Sequence, residues 1–146
     1  MTAPFRNILC PIDFSPNSLA AMDVARQWAQ ESDGTVTLLH VVPSSIKVGA
    51  LMPVVLEPTV GRAEAEERLK ELAKSRLNCT IPYETDVAVG DAASEILQGA
   101  VRHRSDSIVM ATHGRIGLKH FFLGSVAERV VRESAVPVLT VRPKSD

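Results

Sequence analysis

Residues 111–128, ATHGRIGLKHFFLGSVAE, carry the side chains and spacing most suited to holding an anion. Gly114, Gly117 and Gly124 lack the Cβ that would keep a phosphate away from the backbone, and glycine reaches backbone angles closed to other residues. Ser125 offers a hydroxyl and a backbone N–H. Arg115 and Lys119 add mobile cations. The stretch follows Ser107-Ile108-Val109-Met110, which reads as a buried strand, and ends where a helix begins at Ser125. A helix start carries unpaired N–H groups and a partial positive charge, and both favour a phosphate. A second chemical group, Asp13, follows another apolar run, Asn7-Ile8-Leu9-Cys10-Pro11-Ile12.

Each of these residues also has a plainer reading. Ser125-Val126-Ala127-Glu128 matches a capping box, S-x-x-E, which needs no ligand. The glycines can be loop punctuation, and they match neither G-x-x-x-x-G-K-[ST] nor G-x-G-x-x-G. Asp13 can accept from an adenine or ribose, or satisfy backbone N–H groups in the turn after its strand. His113 and His120 flank the loop without the carboxylate or histidine partners that catalysis or a metal would require. His40 reads as a structural residue within a strand, Cys10 as a small core residue, and Trp28 as core or dimer surface. No Ser/His/Asp or Cys/His nucleophile set stands out.

The elements that must position this chemistry alternate. Strands are expected at residues 7–12, 35–42, 79–89, 106–112 and 136–141. Helices are expected from Pro16, capped by Ser15, to about Glu31, from about Thr59 to Arg76, from Ala92, capped by Asp91, to His103, and from Ser125 to Ser134. Leu19, Met22, Ala25 and Trp28 suggest the inward face of the first helix, and Asp33-Gly34 its end. Residues 43–58 read as irregular but apolar, a segment that packs on its own domain, a ligand or a partner. The order β-α-β-α-β-α-β-α-β implies a parallel sheet covered by helices on both faces. In such sheets, ligands bind beyond the carboxyl ends of strands, where the strand order reverses. Neighbouring first and fourth strands would bring Asp13 opposite the glycine loop. Pro137 cannot donate to a ladder, so the last strand is expected at an edge. An apolar edge invites pairing, and a symmetric dimer through Val136 to Val141 would satisfy it.

Composition bounds the function. With 146 residues, 45% of them apolar, the chain fits one domain, residues 1–146. Sixteen basic and 17 acidic residues leave a net charge of −1, which argues against general nucleic-acid binding. Cys10 and Cys79, the two cysteines, form no zinc or disulfide framework. No signal-peptide core and no run of membrane-spanning length is present, so the expected location is the cytoplasm.

Taken together, Asn7 to Ser15, Leu38 to Val42, the Gly90-Asp91 turn, Thr112 to Arg115, Gly124 to Glu128 and Val136 to Leu139 resemble the universal stress protein family. That resemblance covers nearly the whole chain. It implies an α/β, Rossmann-like (adenine nucleotide alpha hydrolase-like) sheet in the order 3-2-1-4-5, dimerisation through the last strand, and a role in stress survival rather than a defined reaction. One branch binds ATP through G-x-x-G, nine residues, then G-[S/T]. Here Gly114 is the second glycine, residues 115–123 are the nine, and Gly124-Ser125 follow, while Ala111 replaces the first glycine. By this resemblance Pro11, Ile12, Asp13 and Val41 line the adenosine side. Ala111, His113, Gly114, Arg115, Gly124, Ser125 and Val126 line the phosphate side. The cofactor implied is ATP, with magnesium as a counter-ion; AMP or cyclic AMP suits the same pocket. Two rival readings are a slow ATPase using Arg115 and Lys119, and a protein-interaction module with a vestigial pocket.

Overall fold

The apolar run near the N-terminus forms the central strand, β1 (Asn7–Pro11), whose residues alternate between two cores. Ile8 and Cys10 point into one core, and Leu9 into the other. The computed structural model describes residues 5–44, 46–48, 52–54, 58–113 and 123–142. After β1 come α1 (Pro16–Ser32), β2 (Thr35–Val42), β3 (Ile46–Val48), β4 (Met52–Val54), α2 (Pro58–Leu77), β5 (Tyr83–Val89), α3 (Ala92–Arg102), β6 (Ser107–Ala111), α4 (Ser125–Glu133) and β7 (Val138–Val141).

Five strands form one parallel sheet in the order β5-β2-β1-β6-β7, which is 3-2-1-4-5 among the strands that alternate with helices. Helices α1 and α2 cover one face through Met22, Ala25, Leu69 and Ala73. Helices α3 and α4 cover the other through Ala93, Ile96, Ala127 and Val130. Because the chain runs outward from β1 through β2 on one side and resumes at β6 on the other, the order reverses between β1 and β6. Among the described residues, no helix is long and apolar enough to cross a membrane.

Several boundaries differ from the sequence expectation. Residues 43–58 are not wholly irregular: β3 and β4 pair antiparallel within them, consistent with the β-branched residues at Ile46, Val48 and Val54. The strand expected from residue 79 begins at Tyr83, because Cys79 takes a left-handed φ of 65° and Thr80 turns back to donate its hydroxyl to the Leu77 carbonyl. The last strand begins at Val138, two residues late, with Pro137 just ahead of it. The buried stripe of α1 is Ser18, Ala21, Met22, Ala25 and Ala29. A spacing of three drifts by roughly 60° per step on a helix of 3.6 residues per turn. It therefore carries Trp28 out to 39% exposure, where its ring meets Phe5 edge-on at 4.3 Å.

Asp106, just before β6, anchors the start of the chain. Its carboxylate accepts from the backbone N–H groups of Phe5, Arg6 and Asn7 at 3.0 to 3.1 Å and from the Ser107 hydroxyl at 2.8 Å. Cys10 is fully buried. Burial, with the nearby negative charge of Asp23, pushes its thiol up to about 12, so it stays protonated and unreactive at neutral pH.

Asp86 on β5 ties down the end of α3. One of its carboxylate oxygens accepts from Arg102 Nη2 and His103 Nε2, both at 2.7 Å. Burial, the largest single influence, pushes the carboxyl up; the hydrogen bonds and charges of His103 and Arg102 together outweigh it and hold the group below its ordinary value. A lowered folded value stabilises above the unfolded value of about 3.9, and that contribution is lost as pH falls through the folded value. Asp86→Asn should therefore be less stable than the parent near neutral pH, with the gap narrowing below about pH 4. Urea denaturation across a pH series reads this directly, and a gap that stays constant into acid would contradict it.

Candidate functional site

At the carboxyl end of β1, the chain passes Ile12 and turns at Asp13. Ile12 is held from β2, its N–H donating to the Leu39 carbonyl at 2.8 Å and its carbonyl accepting from His40 Nδ1 at 2.6 Å. Asp13 Oδ1 accepts from the Ser15 N–H at 2.9 Å. The turn-forming reading of Asp13 is thus realised, and the residue also lines the cavity described below. Ser15 then caps α1, its side chain accepting from the Ser18 N–H at 3.1 Å.

At the carboxyl end of β6, the two ends of the glycine loop are drawn together. The Thr112 N–H donates to the Val141 carbonyl at 3.0 Å, and the Gly124 N–H donates back to the Thr112 carbonyl at 2.7 Å. A Cβ on Gly124 would lie 3.2 Å from that same carbonyl oxygen, so glycine permits this approach. Gly124, not Ser125, is the N-cap of α4, and no side chain caps the helix. The expected capping box is therefore absent: Ser125 has moved into the first helical turn, and the Glu128 carboxylate instead pairs with Arg132 at 2.7 Å. The helix start keeps its field for another partner.

Between these two ends lies a cavity of about 550 Å³, within the range of small-molecule sites. Pro11, Ile12, Asp13, Val41, Ala111, His113, Gly124, Ser125 and Val126 all line it. Of the other site residues read from the sequence, Gly114 and Arg115 lie outside the described residues, as do Gly117, Lys119 and His120.

The cavity has a mixed character. Ile12, Val41, Ile96 and Met110 give it apolar walls. Asp13, His113 and the start of α4 give it polar points. Thr112 Oγ1 and His113 Nδ1 lie 3.0 Å apart, while His113 Nε2 is buried with no hydrogen-bond partner among the described residues. When the threonine hydroxyl donates to Nδ1, Nε2 carries the proton and becomes a donor suited to an oxyanion. An orphaned buried donor costs free energy. Among the described residues, no group of three or more His, Cys, Asp or Glu side chains could hold a metal ion.

Sequence reading missed the contribution of α3, whose Ala92 and Ile96 reach the cavity. The signal was present in Gly90-Asp91: Asp91 caps α3, accepting from the Ser94 N–H at 3.1 Å. A helix starting right after β5 must open at the same end of the sheet. Arg129 of α4 binds Asp91 at 2.7 Å and the Ser94 hydroxyl at 3.0 Å, fixing both helix starts beside one cavity. His40 was read as structural; it bonds the Ile12 carbonyl and also lines the cavity.

Known proteins share this fold. Universal stress protein MJ0531 of Methanocaldococcus jannaschii is 35% identical over 147 residues, covering 97% of this chain and 85% of its own length. Universal stress protein MJ0577 of the same organism is 30% identical over 162 residues, 99% of each chain. Its solved structure superposes with a TM-score of 0.79 at 27% identity, covering 99% of this chain and all of that one. A universal stress protein solved in complex with cAMP shares the fold, with a TM-score of 0.72 at 22% identity over 96% of this chain and 98% of its own. The model of the universal stress protein family matches residues 4–142, and this chain belongs to that family.

Proposed function

We propose that the cavity between the ends of β1 and β6 binds an adenine nucleotide, ATP in the first place, as a regulatory signal in a cytoplasmic stress-response protein built as one domain over residues 1–146. The observation that carries this reading is the polar end of the cavity. There an uncapped helix start and His113, whose Nε2 is buried without a hydrogen-bond partner among the described residues, line the same cavity. An anion answers both. The apolar walls suit a flat base, and Asp13, in the cavity wall, would accept from a ribose or an amino group. The cAMP complex of a structural relative supports the choice of an adenine nucleotide. A bound nucleotide acts as a signal only by binding two states of the protein differently.

The test is a thermal melt with added ATP, AMP, cyclic AMP and GTP. A ligand at a hundred times its Kd stabilises by about 2.7 kcal/mol, which for a chain of this size raises Tm by roughly 5–10 °C. The reading expects such a rise with at least one adenine nucleotide and a smaller one with GTP. Equal small shifts with all four would refute it.

The working unit is a homodimer joined along β7. Pro137 and Val141 carbonyls accept from β6 at Ile108 and Thr112, so the backbone groups of Val138 and Thr140 face the open edge. Thr140→Pro removes one outward donor and should shift the protein toward monomer in analytical ultracentrifugation. Leu139→Glu is a less clean test, because Leu139 packs on the core of its own chain. A Thr140→Pro dimer as tight as the parent's would place the interface elsewhere.

A further inference from the structure

Behind Asp13, three side chains from three separate elements form a stack. Arg68, on α2, places its guanidinium carbon 4.1 Å from the centre of the Phe14 ring. That ring also meets the His40 imidazole, centroid to centroid 4.8 Å at 46°, and packs on the core of this face of the sheet. His40 in turn holds the Ile12 carbonyl at 2.6 Å. The stack thus runs from the surface of α2 to the two residues at which β1 enters the cavity.

The backbone of Phe14 shows what the stack does. Phe14 has φ 64°, in the left-handed region that a bulky residue adopts only at a cost. Such a conformation persists when its surroundings hold it, and it clusters at ligand sites. Here the ring is held by contacts with His40 and with Arg68. The hydrogen bond from the Ser15 N–H to Asp13 Oδ1 spans Phe14, so the left-handed turn is what brings that carboxylate and that N–H together. If Phe14 relaxed toward an ordinary φ, the Asp13 carboxylate would rotate away from its place in the cavity wall.

We propose that Arg68 is a positioning residue for this cavity: through Phe14 it holds the Ile12–Phe14 turn, and with it the Asp13 carboxylate, in the form that receives the nucleotide. The inference rests on the nucleotide reading given above. It also makes α2 a part of the site, although none of its residues is among the described ones that line the cavity. Arg68 is itself exposed, so its replacement leaves the core intact.

Calorimetric titration of the full-length parent, Arg68→Met and Arg68→Lys with ATP, well below their melting temperatures, tests this. At such temperatures the protein is folded, and a merely structural loss leaves Kd unmoved. Methionine keeps the bulk but removes the cation; lysine restores a cation over the ring. Full loss of an exposed cation–π contact of this kind corresponds to roughly a twofold to fivefold weakening in Arg68→Met, with Arg68→Lys binding as the parent does. Unchanged affinity in Arg68→Met overturns the proposal, whatever happens to its melting temperature. Equal weakening in both variants overturns it too, since lysine preserves the cation. A parent that binds no ATP refutes the nucleotide reading itself, an outcome the parent titration separates from the other two.

Discussion

Gly124→Val is expected to lower ATP affinity by about thirtyfold or more, equivalent to about 2 kcal/mol, while the protein stays folded. Gly124 sits at φ −60° and ψ 159°, which valine adopts without strain, so the effect is steric rather than conformational. Its N–H is bonded to the Thr112 carbonyl at 2.7 Å, and an added Cβ would lie 3.2 Å from that oxygen and 3.7 Å from the His113 Cα. Both are backbone atoms at the end of β6, and they can give only by separating strand from helix. The two further methyl groups of valine would also meet whatever occupies the cavity, since Gly124 is part of its wall. Overpacking of this kind costs about 1–3 kcal/mol, so a modest fall in Tm should accompany the loss of binding. Calorimetric titration together with far-ultraviolet circular dichroism separates the two effects. Retained affinity in a folded Gly124→Val protein would remove the start of α4 from the site.

Gly34→Ala should be among the most damaging single-methyl changes in the chain, with no direct effect on the cavity. A Cβ at Gly34 would lie 2.7 Å from the Arg6 carbonyl oxygen, 2.8 Å from the Arg6 Cα and 2.9 Å from the Phe5 carbonyl oxygen. None of these is the movable end of a side chain. Relief requires lifting the segment that Asp106 anchors through three backbone N–H groups. The expected cost is about 2–3 kcal/mol, or a fall in Tm of roughly 4–12 °C, read by thermal or urea denaturation. The neighbouring position is the control. Asp33, not Gly34, is the left-handed residue that ends α1, at φ 56°. Asp33→Gly should therefore be neutral or stabilising by a few tenths of a kcal/mol, because glycine adopts that conformation freely. A Gly34→Ala protein as stable as its parent would show that the Phe5–Arg6 segment moves easily.

Those adjacent residues illustrate what could be read from the chain. Asp33-Gly34 marks a helix end, and the helix does end there. The usual reasoning assigns the left-handed turn to the glycine. In fact the turn falls one residue earlier, and the glycine serves a close approach to residues nearly thirty positions away. That contact is long-range and leaves no local trace. The same division runs through the rest of the molecule. The doubly covered sheet follows from continuous apolar runs such as Asn7–Pro11; β7 does lie at an edge, although Pro137 stands just ahead of it with its carbonyl turned toward β6. The strand order itself came from resemblance. Asp13 and Gly124 announce themselves as residues following strands, so their meeting at one cavity was legible once the strands were neighbours.

The stack of Arg68, Phe14 and His40 was not legible. It depends on how α2 lies against the sheet, and Arg68 sits among charged residues that read as an ordinary solvated face. The capping box failed for a related reason. S-x-x-E at residues 125–128 is a correct local pattern, but the contact between Gly124 and the Thr112 carbonyl sets the cap one residue earlier. A tertiary contact overrode a local preference of about 1 kcal/mol.

The most direct test of the central claim is to denature the purified protein, analyse the released small molecules by mass spectrometry, and titrate the emptied, refolded protein with ATP by calorimetry. The account predicts an adenine nucleotide in the released fraction, or saturable binding at one nucleotide per chain that Gly124→Val weakens. No nucleotide in the released fraction and no heat on titration would contradict it.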